Sequence, residues 1–117
     1  MRVIADIALV IVALLHVGFL VLEMFLWTKP FGRRTFGLSR ELAEATKGLA
    51  ANQGLYNGFL AAGLIWGVVE NAISLKVFFL ACVIVAGIFG AITAKRSILF
   101  VQALPGVIAL IAVFVAR

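Results

Sequence analysis

The chain has 117 residues, of which 65% are hydrophobic and only 13% charged, and its mean hydropathy is +1.22. A soluble domain of this size leaves too much of its surface exposed to hide so many apolar side chains, so we predict an integral membrane protein. The net charge of +5 does not indicate nucleic-acid binding, because basic loops are normal at the cytoplasmic face of a membrane. The expected partners are membrane lipids, and no nucleic acid.

Apolar runs long enough to cross a bilayer, which takes roughly 20 helical residues, occur at four places in the chain. They cover about residues 3–27, 49–69, 75–93 and 98–115. The runs are too long and too unbroken for barrel strands, so helices are favoured. The sequence therefore predicts a single all-α domain over residues 1–117: a four-helix transmembrane bundle of antiparallel up-down topology, with a basic interfacial loop between helices 1 and 2.

The basic residues predict the orientation of these helices. Seven of the ten lysines and arginines lie in the first and third loops, and three lie on the opposite side. By the positive-inside rule, the first and third loops face the cytoplasm and both termini face outward. The predicted location is the bacterial cytoplasmic (inner) membrane. On the outer side, Asp6 is predicted to pair with Arg2, and Glu70 and Asn71 to form a turn.

The first loop combines turn residues, basic residues and a helix start. Pro30, Gly32 and Gly37 predict turns. Ser39 is a good N-cap for a short helix that lies at the interface and runs into the second span. For Arg33 and Arg34 we expect contacts with lipid phosphates or, alternatively, with an anionic ligand at the mouth of a site.

The second span contains the stretch "LAANQGLYNGFLAAGLIWG" (residues 49–67), which carries an unusual number of polar groups. At about 100° per residue, four of them lie within ~140° of one another: Asn52, Gln53, Tyr56 and Asn57. Small residues spaced by four lie on nearly the opposite face and predict close helix packing: Ala50, Gly54, Gly58 and Ala62. A similar row on the third span is its candidate partner: Ala86, Gly90 and Ala94.

Polar residues of two other spans are expected at a matching depth. His16, Glu23 and Trp27 lie on one stripe of the first span, and Gln102 lies one turn into the fourth. Pro105 then interrupts the backbone hydrogen bonds of that span. Because ionisable groups inside a span usually mark a site, we predict a ligand-binding pocket near the cytoplasmic leaflet. Its candidate residues are His16, Glu23, Asn52, Gln53, Tyr56, Asn57, Gln102, Arg33 and Arg34.

Several functions remain open for such a pocket. The preferred hypothesis is binding of a small polar or amphipathic ligand. A proton-coupled transporter would use Glu23 and act as a dimer, so a homo-oligomer is an open possibility. A membrane enzyme would use His16 or Glu23 as acid-base, although one His and one Cys in different spans lack the spacing of a metal site or nucleophile triad. We expect no cofactor. In a scaffold, the amides would only join helices.

Two stretches resemble a known family. "HVGFLVLEMFLWTKP" and "TKGLAANQGLYNGFLAAGLIWG" are similar to the bacterial domain-of-unknown-function family numbered 1304. The resemblance covers most of the chain. It implies a four-helix inner-membrane protein and brings no established activity.

Overall fold

The computed structural model describes all 117 residues, and every regular element in it is helical. This confirms the all-α prediction. In chain order the helices are α1 (Arg2–Met24), α2 (Pro30–Phe36), α3 (Arg40–Val69), α4 (Ile73–Thr93) and α5 (Leu104–Ala116). A π-helical turn, Leu99–Ala103, leads directly into α5.

Only three helical segments are both long and apolar enough to cross a membrane: Arg2–Met24, Ile73–Thr93 and Leu99–Ala116. The helix that contains the remaining predicted span, α3, is not among them. This helix is the longest, at 30 residues, so length is not the obstacle. Its polar turn, which includes Asn52, Gln53 and Asn57, removes the continuous apolarity that the other three helices have.

The chain divides into two compact units, one made of Met1–Leu15 with Leu60–Arg117 and the other of His16–Phe59. The first unit contains the apolar core, to which the start of α1, the end of α3, α4 and α5 all contribute. Its largest fully buried side chains are Leu9, Val12, Leu64, Leu80 and Val83. Small residues bring the backbones together here, since a Cβ on Gly87 would lie 2.8 Å from the backbone nitrogen of Ala103.

The start of the last span is wound as a π-helix. The Leu104 N–H donates to the Leu99 carbonyl, five residues earlier. Pro105 is the second residue of α5 and has no N–H to donate to the preceding turn. The predicted interruption at Pro105 is therefore met by widening one turn rather than by ending the span.

A charged cluster lies at one end of the first unit. Asp6 forms an ion pair with Arg2, with Oδ2 3.7 Å from Nε, which confirms the predicted pair, and its other oxygen lies 2.8 Å from Lys76 Nζ. Lys76 is only 3% exposed, and its ammonium also donates to the Asn71 side-chain oxygen at 3.0 Å. Asn71, in the turn before α4, has a positive φ of 47°. The buried lysine thus joins α1, the α3–α4 turn and α4.

Within the second unit, α1 ends at Met24, three residues before the predicted end of the span. The expected turn at Pro30 and Gly32 is instead the short helix α2: Pro30 stands at its start, and Gly37 ends it in the left-handed conformation, φ 65°. A Cβ on Gly32 would run into the Leu26 carbonyl, so glycine is needed there for close packing. The Ser39 cap is confirmed, since its hydroxyl accepts from the Leu42 N–H at 3.1 Å.

The small residues of α3 contact α1 within this unit. A Cβ on Gly54 would meet Met24 and Glu23, and one on Gly58 would meet Leu20. The predicted pairing of this row with the small residues of α4 is corrected, because the space beside Gly90 is taken by Ile98. Helical periodicity identified the close-packing face, but it carries no information about which helix covers it.

A candidate binding cleft in the second unit

The centre of the candidate site is a hydrogen bond between two helices. Asn57 on α3 donates through Nδ2 to Glu23 Oε1 in the last turn of α1. Asn57 is only 5% exposed. Gly54, one turn before Asn57, leaves room for the Glu23 and Met24 side chains to approach α3. This hydrogen bond joins α1 to α3 and holds the carboxyl group against α3.

Trp27, in the segment after α1, is held in place by two neighbouring elements. Its Nε1 donates to Thr46 Oγ1 of α3 at 3.0 Å. The Thr46 hydroxyl in turn donates to the Leu42 carbonyl at 2.7 Å. The Trp27 ring packs against Phe36 of α2, with ring centroids 4.9 Å apart. The indole therefore has a defined position, although it lies in the irregular segment after α1.

An open cleft of about 290 Å³ lies between the end of α1 and the first half of α3. Its lining combines one acid, one base, aromatic rings and small or apolar side chains. The lining residues are Glu23, Met24, Phe25, Trp27, Thr28, Lys47, Gly48 and Ala51. Lys47 pairs with Glu44 at 3.1 Å, whereas Glu23 forms no ion pair. The cleft thus offers a carboxyl group as acceptor within a wall of mixed apolar and polar side chains.

The other predicted site residues of this unit lie outside the cleft lining. Asn52, Gln53 and Tyr56 are exposed, and their polar side-chain atoms make no hydrogen bond within the chain. Tyr56 packs its ring against Phe59 at 6.0 Å. His16 is completely buried and contacts the Phe19 ring at 5.1 Å. The polar face predicted for α3 is therefore divided: Asn57 turns towards α1, and the others do not.

Arg33, Arg34 and Gln102 have different environments. Arg34 is exposed, while Arg33 is half-buried with its Nε lacking a hydrogen-bond partner. Neither arginine lines the cleft, so their contact with lipid phosphates or an anionic ligand stays a prediction. Gln102 belongs to the first unit, where its Nε2 donates to the Val83 carbonyl of α4 at 3.3 Å. That bond joins two helices, as interhelical amides commonly do.

Several cleft residues were not among the predicted site residues, notably Met24, Lys47 and Ala51. One feature of the sequence could have indicated Lys47 and Ala51 as cleft residues: they lie one turn apart on the helix that carries Asn57. The position of Glu23 against that helix depends on α1 ending at Met24, which the apolar run Phe25–Leu26 conceals. No group of three His, Cys, Asp or Glu side chains is placed to hold a metal ion.

The fold and the cleft together define a small all-helical membrane protein with a polar contact between its first and third helices. The chain belongs to the family described as "Protein of unknown function (DUF1304)", whose sequence model matches residues 10–114. This confirms the resemblance seen in the two sequence stretches. The chain is also similar to the "Uncharacterized protein YpaA" of Lactococcus lactis subsp. lactis (strain IL1403), with 28% identity over 118 residues, covering 97% of this chain and 99% of the relative. No solved structure matches.

Proposed function

We propose that this protein is a four-span protein of the bacterial inner membrane that binds a small polar or amphipathic ligand in the cleft beside Glu23, near the cytoplasmic leaflet. The observation that carries the proposal is a carboxyl group held by Asn57 in the lining of an open cleft that also has aromatic and apolar walls. Ligand sites commonly combine apolar walls with a few fixed polar groups. Because Asn57 and Trp27 are themselves held by hydrogen bonds, the site needs little rearrangement on binding.

The fourth span in this proposal is α3. Its 30 residues, at about 1.5 Å each, exceed the thickness of the hydrocarbon core. The Asn57 side chain is satisfied by Glu23, which lowers the penalty for placing that amide in lipid. The buried Asp6–Lys76 pair is neutral as a unit. Lys76 therefore adds no net positive charge to the outer side, and the cytoplasmic side is the more basic one, as the positive-inside rule requires.

Cysteine labelling on either side of α3 tests this topology. In a Cys82→Ala background, we expect a membrane-impermeant maleimide to label Ser74→Cys in intact spheroplasts and to label Thr35→Cys only after permeabilisation. Ser97→Cys serves as a control and should behave like Thr35→Cys. Equal labelling of Thr35→Cys and Ser74→Cys in intact spheroplasts would show that α3 does not cross the membrane and that the termini lie on opposite sides.

Native mass spectrometry in mild detergent tests ligand binding. We expect wild-type protein to retain a small molecule from the cell membrane, and the Glu23→Gln variant to lose most of it. Glu41→Gln is the matched control, because it removes an exposed acid of α3 that does not line the cleft. The same bound species at the same occupancy in wild type and Glu23→Gln would reject the proposed site.

A further inference from the structure

We infer that the ligand of the cleft carries a cationic amine on a short apolar chain, with its ammonium group against Glu23. This inference rests on the proposed function and adds the chemical class of the ligand. Three properties of the cleft support it: the absence of a counter-ion for Glu23, an aromatic residue held in place in the same lining, and a volume too small for a complete lipid.

The charge balance of the cleft favours a cation. Glu23 Oε1 accepts from Asn57, and no lysine, arginine or histidine pairs with the carboxyl group. Lys47 also lines the cleft, but it is bound to Glu44 at 3.1 Å, and both of these side chains are more than half exposed. A carboxylate that is partly removed from water is stabilised most by an opposite charge. A ligand ammonium group would supply that charge and could donate to the oxygen that Asn57 does not use.

The aromatic lining adds to this preference. Trp27 and Phe25 both border the cleft, and aromatic rings attract cations through their electron-rich faces, with tryptophan the strongest. The Trp27 ring is already held by Thr46 and Phe36. It therefore loses little further conformational freedom when a ligand binds.

The volume of the cleft and its other lining residues indicate the size and the apolar character of the rest of the ligand. A volume of about 290 Å³ lies at the small end for ligand pockets. Met24, Gly48 and Ala51 provide apolar or small surface, and Phe25 is 63% exposed at the edge. An alkyl chain can run along this surface. We conclude that a short alkylamine fits, whereas a two-chain lipid would extend far beyond the cleft.

Three probes of equal chain length test the inference: octylamine, octanol and octanoate. They are titrated against the full-length protein in maltoside micelles, and Trp27 fluorescence reports binding. A Trp66→Phe background removes the other of the two tryptophans, which is 55% exposed. We expect octylamine to bind at least tenfold more tightly than octanol and octanoate. Glu23→Gln should abolish this preference, and Glu41→Gln should preserve it.

The outcomes separate this inference from the proposed function. If octylamine and octanol bind equally to the protein with Glu23 intact, the cleft binds amphiphiles but the amine assignment is wrong. If octanoate binds most tightly, Lys47 is the recognising group and the assignment is also wrong. If none of the three probes binds, the proposed function itself fails for ligands of this size. The comparison among probes needs no change at Glu23, so it holds even if Glu23→Gln does not fold.

Discussion

Asp6→Asn is expected to destabilise the protein by about 3–5 kcal/mol, the typical penalty for leaving one member of a buried ion pair without its partner. Lys76 is 3% exposed, and Asp6 is its one acidic contact, at 2.8 Å. After the substitution, the ammonium group keeps only neutral acceptors, including the Asn71 side chain. The free energy of unfolding can be measured in mixed micelles as the fraction of denaturing detergent is raised.

Two further variants test whether the loss of stability comes from breaking the buried ion pair. Glu44→Gln removes the exposed pair with Lys47, whose side chains are 62% and 56% exposed, and should change stability by no more than about 1 kcal/mol. The double variant Asp6→Leu, Lys76→Met replaces the buried pair with apolar groups and should recover most of the loss. If Asp6→Asn proves as mild as Glu44→Gln, the lysine reaches water or another partner, and the charged cluster does not join the helices as described.

Gly87→Ala is expected to cost about 1–3 kcal/mol, because overfilling a close-packed contact forces the backbone apart. A Cβ at this position would lie 2.8–3.0 Å from the backbone nitrogen, Cβ and Cα of Ala103. These atoms belong to the π-helical turn and cannot move as a flexible side chain would. The start of the last span would have to shift away from α4, so the Gln102 bond to the Val83 carbonyl should weaken as well.

Gly18→Ala is the matched control for this substitution. It also adds one methyl group to a transmembrane helix, but no other atom lies within 4 Å of the added Cβ. Alanine has a higher helix propensity than glycine by up to about 1 kcal/mol, so stability should stay unchanged or rise. The midpoints of thermal unfolding of both variants in maltoside micelles check the pair. Equal midpoints would mean that the Gly87 contact yields without strain.

Some of these structural features could be predicted from the sequence, and others could not. Composition and hydropathy were sufficient for the all-helical membrane class, because the lack of charge in three long runs does not depend on what packs against them. Local chemistry was sufficient for the Ser39 cap and the Arg2–Asp6 pair, since both join residues within one helical turn. The close-packing face at Gly54 and Gly58 also followed from spacing, although its partner helix did not.

Contacts between distant residues could be read only from the folded chain. Spacing grouped Asn52, Gln53, Tyr56 and Asn57 on one face, yet only Asn57 meets Glu23, because the axis and rotation of α3 against α1 decide which amide is covered. The pairing of Asp6 with Lys76 joins residues 70 positions apart. The cleft likewise depends on where α1 stops and on how Trp27 is held. Helical periodicity predicts how side chains are arranged around one helix axis. A binding site depends on how two helices are placed relative to each other.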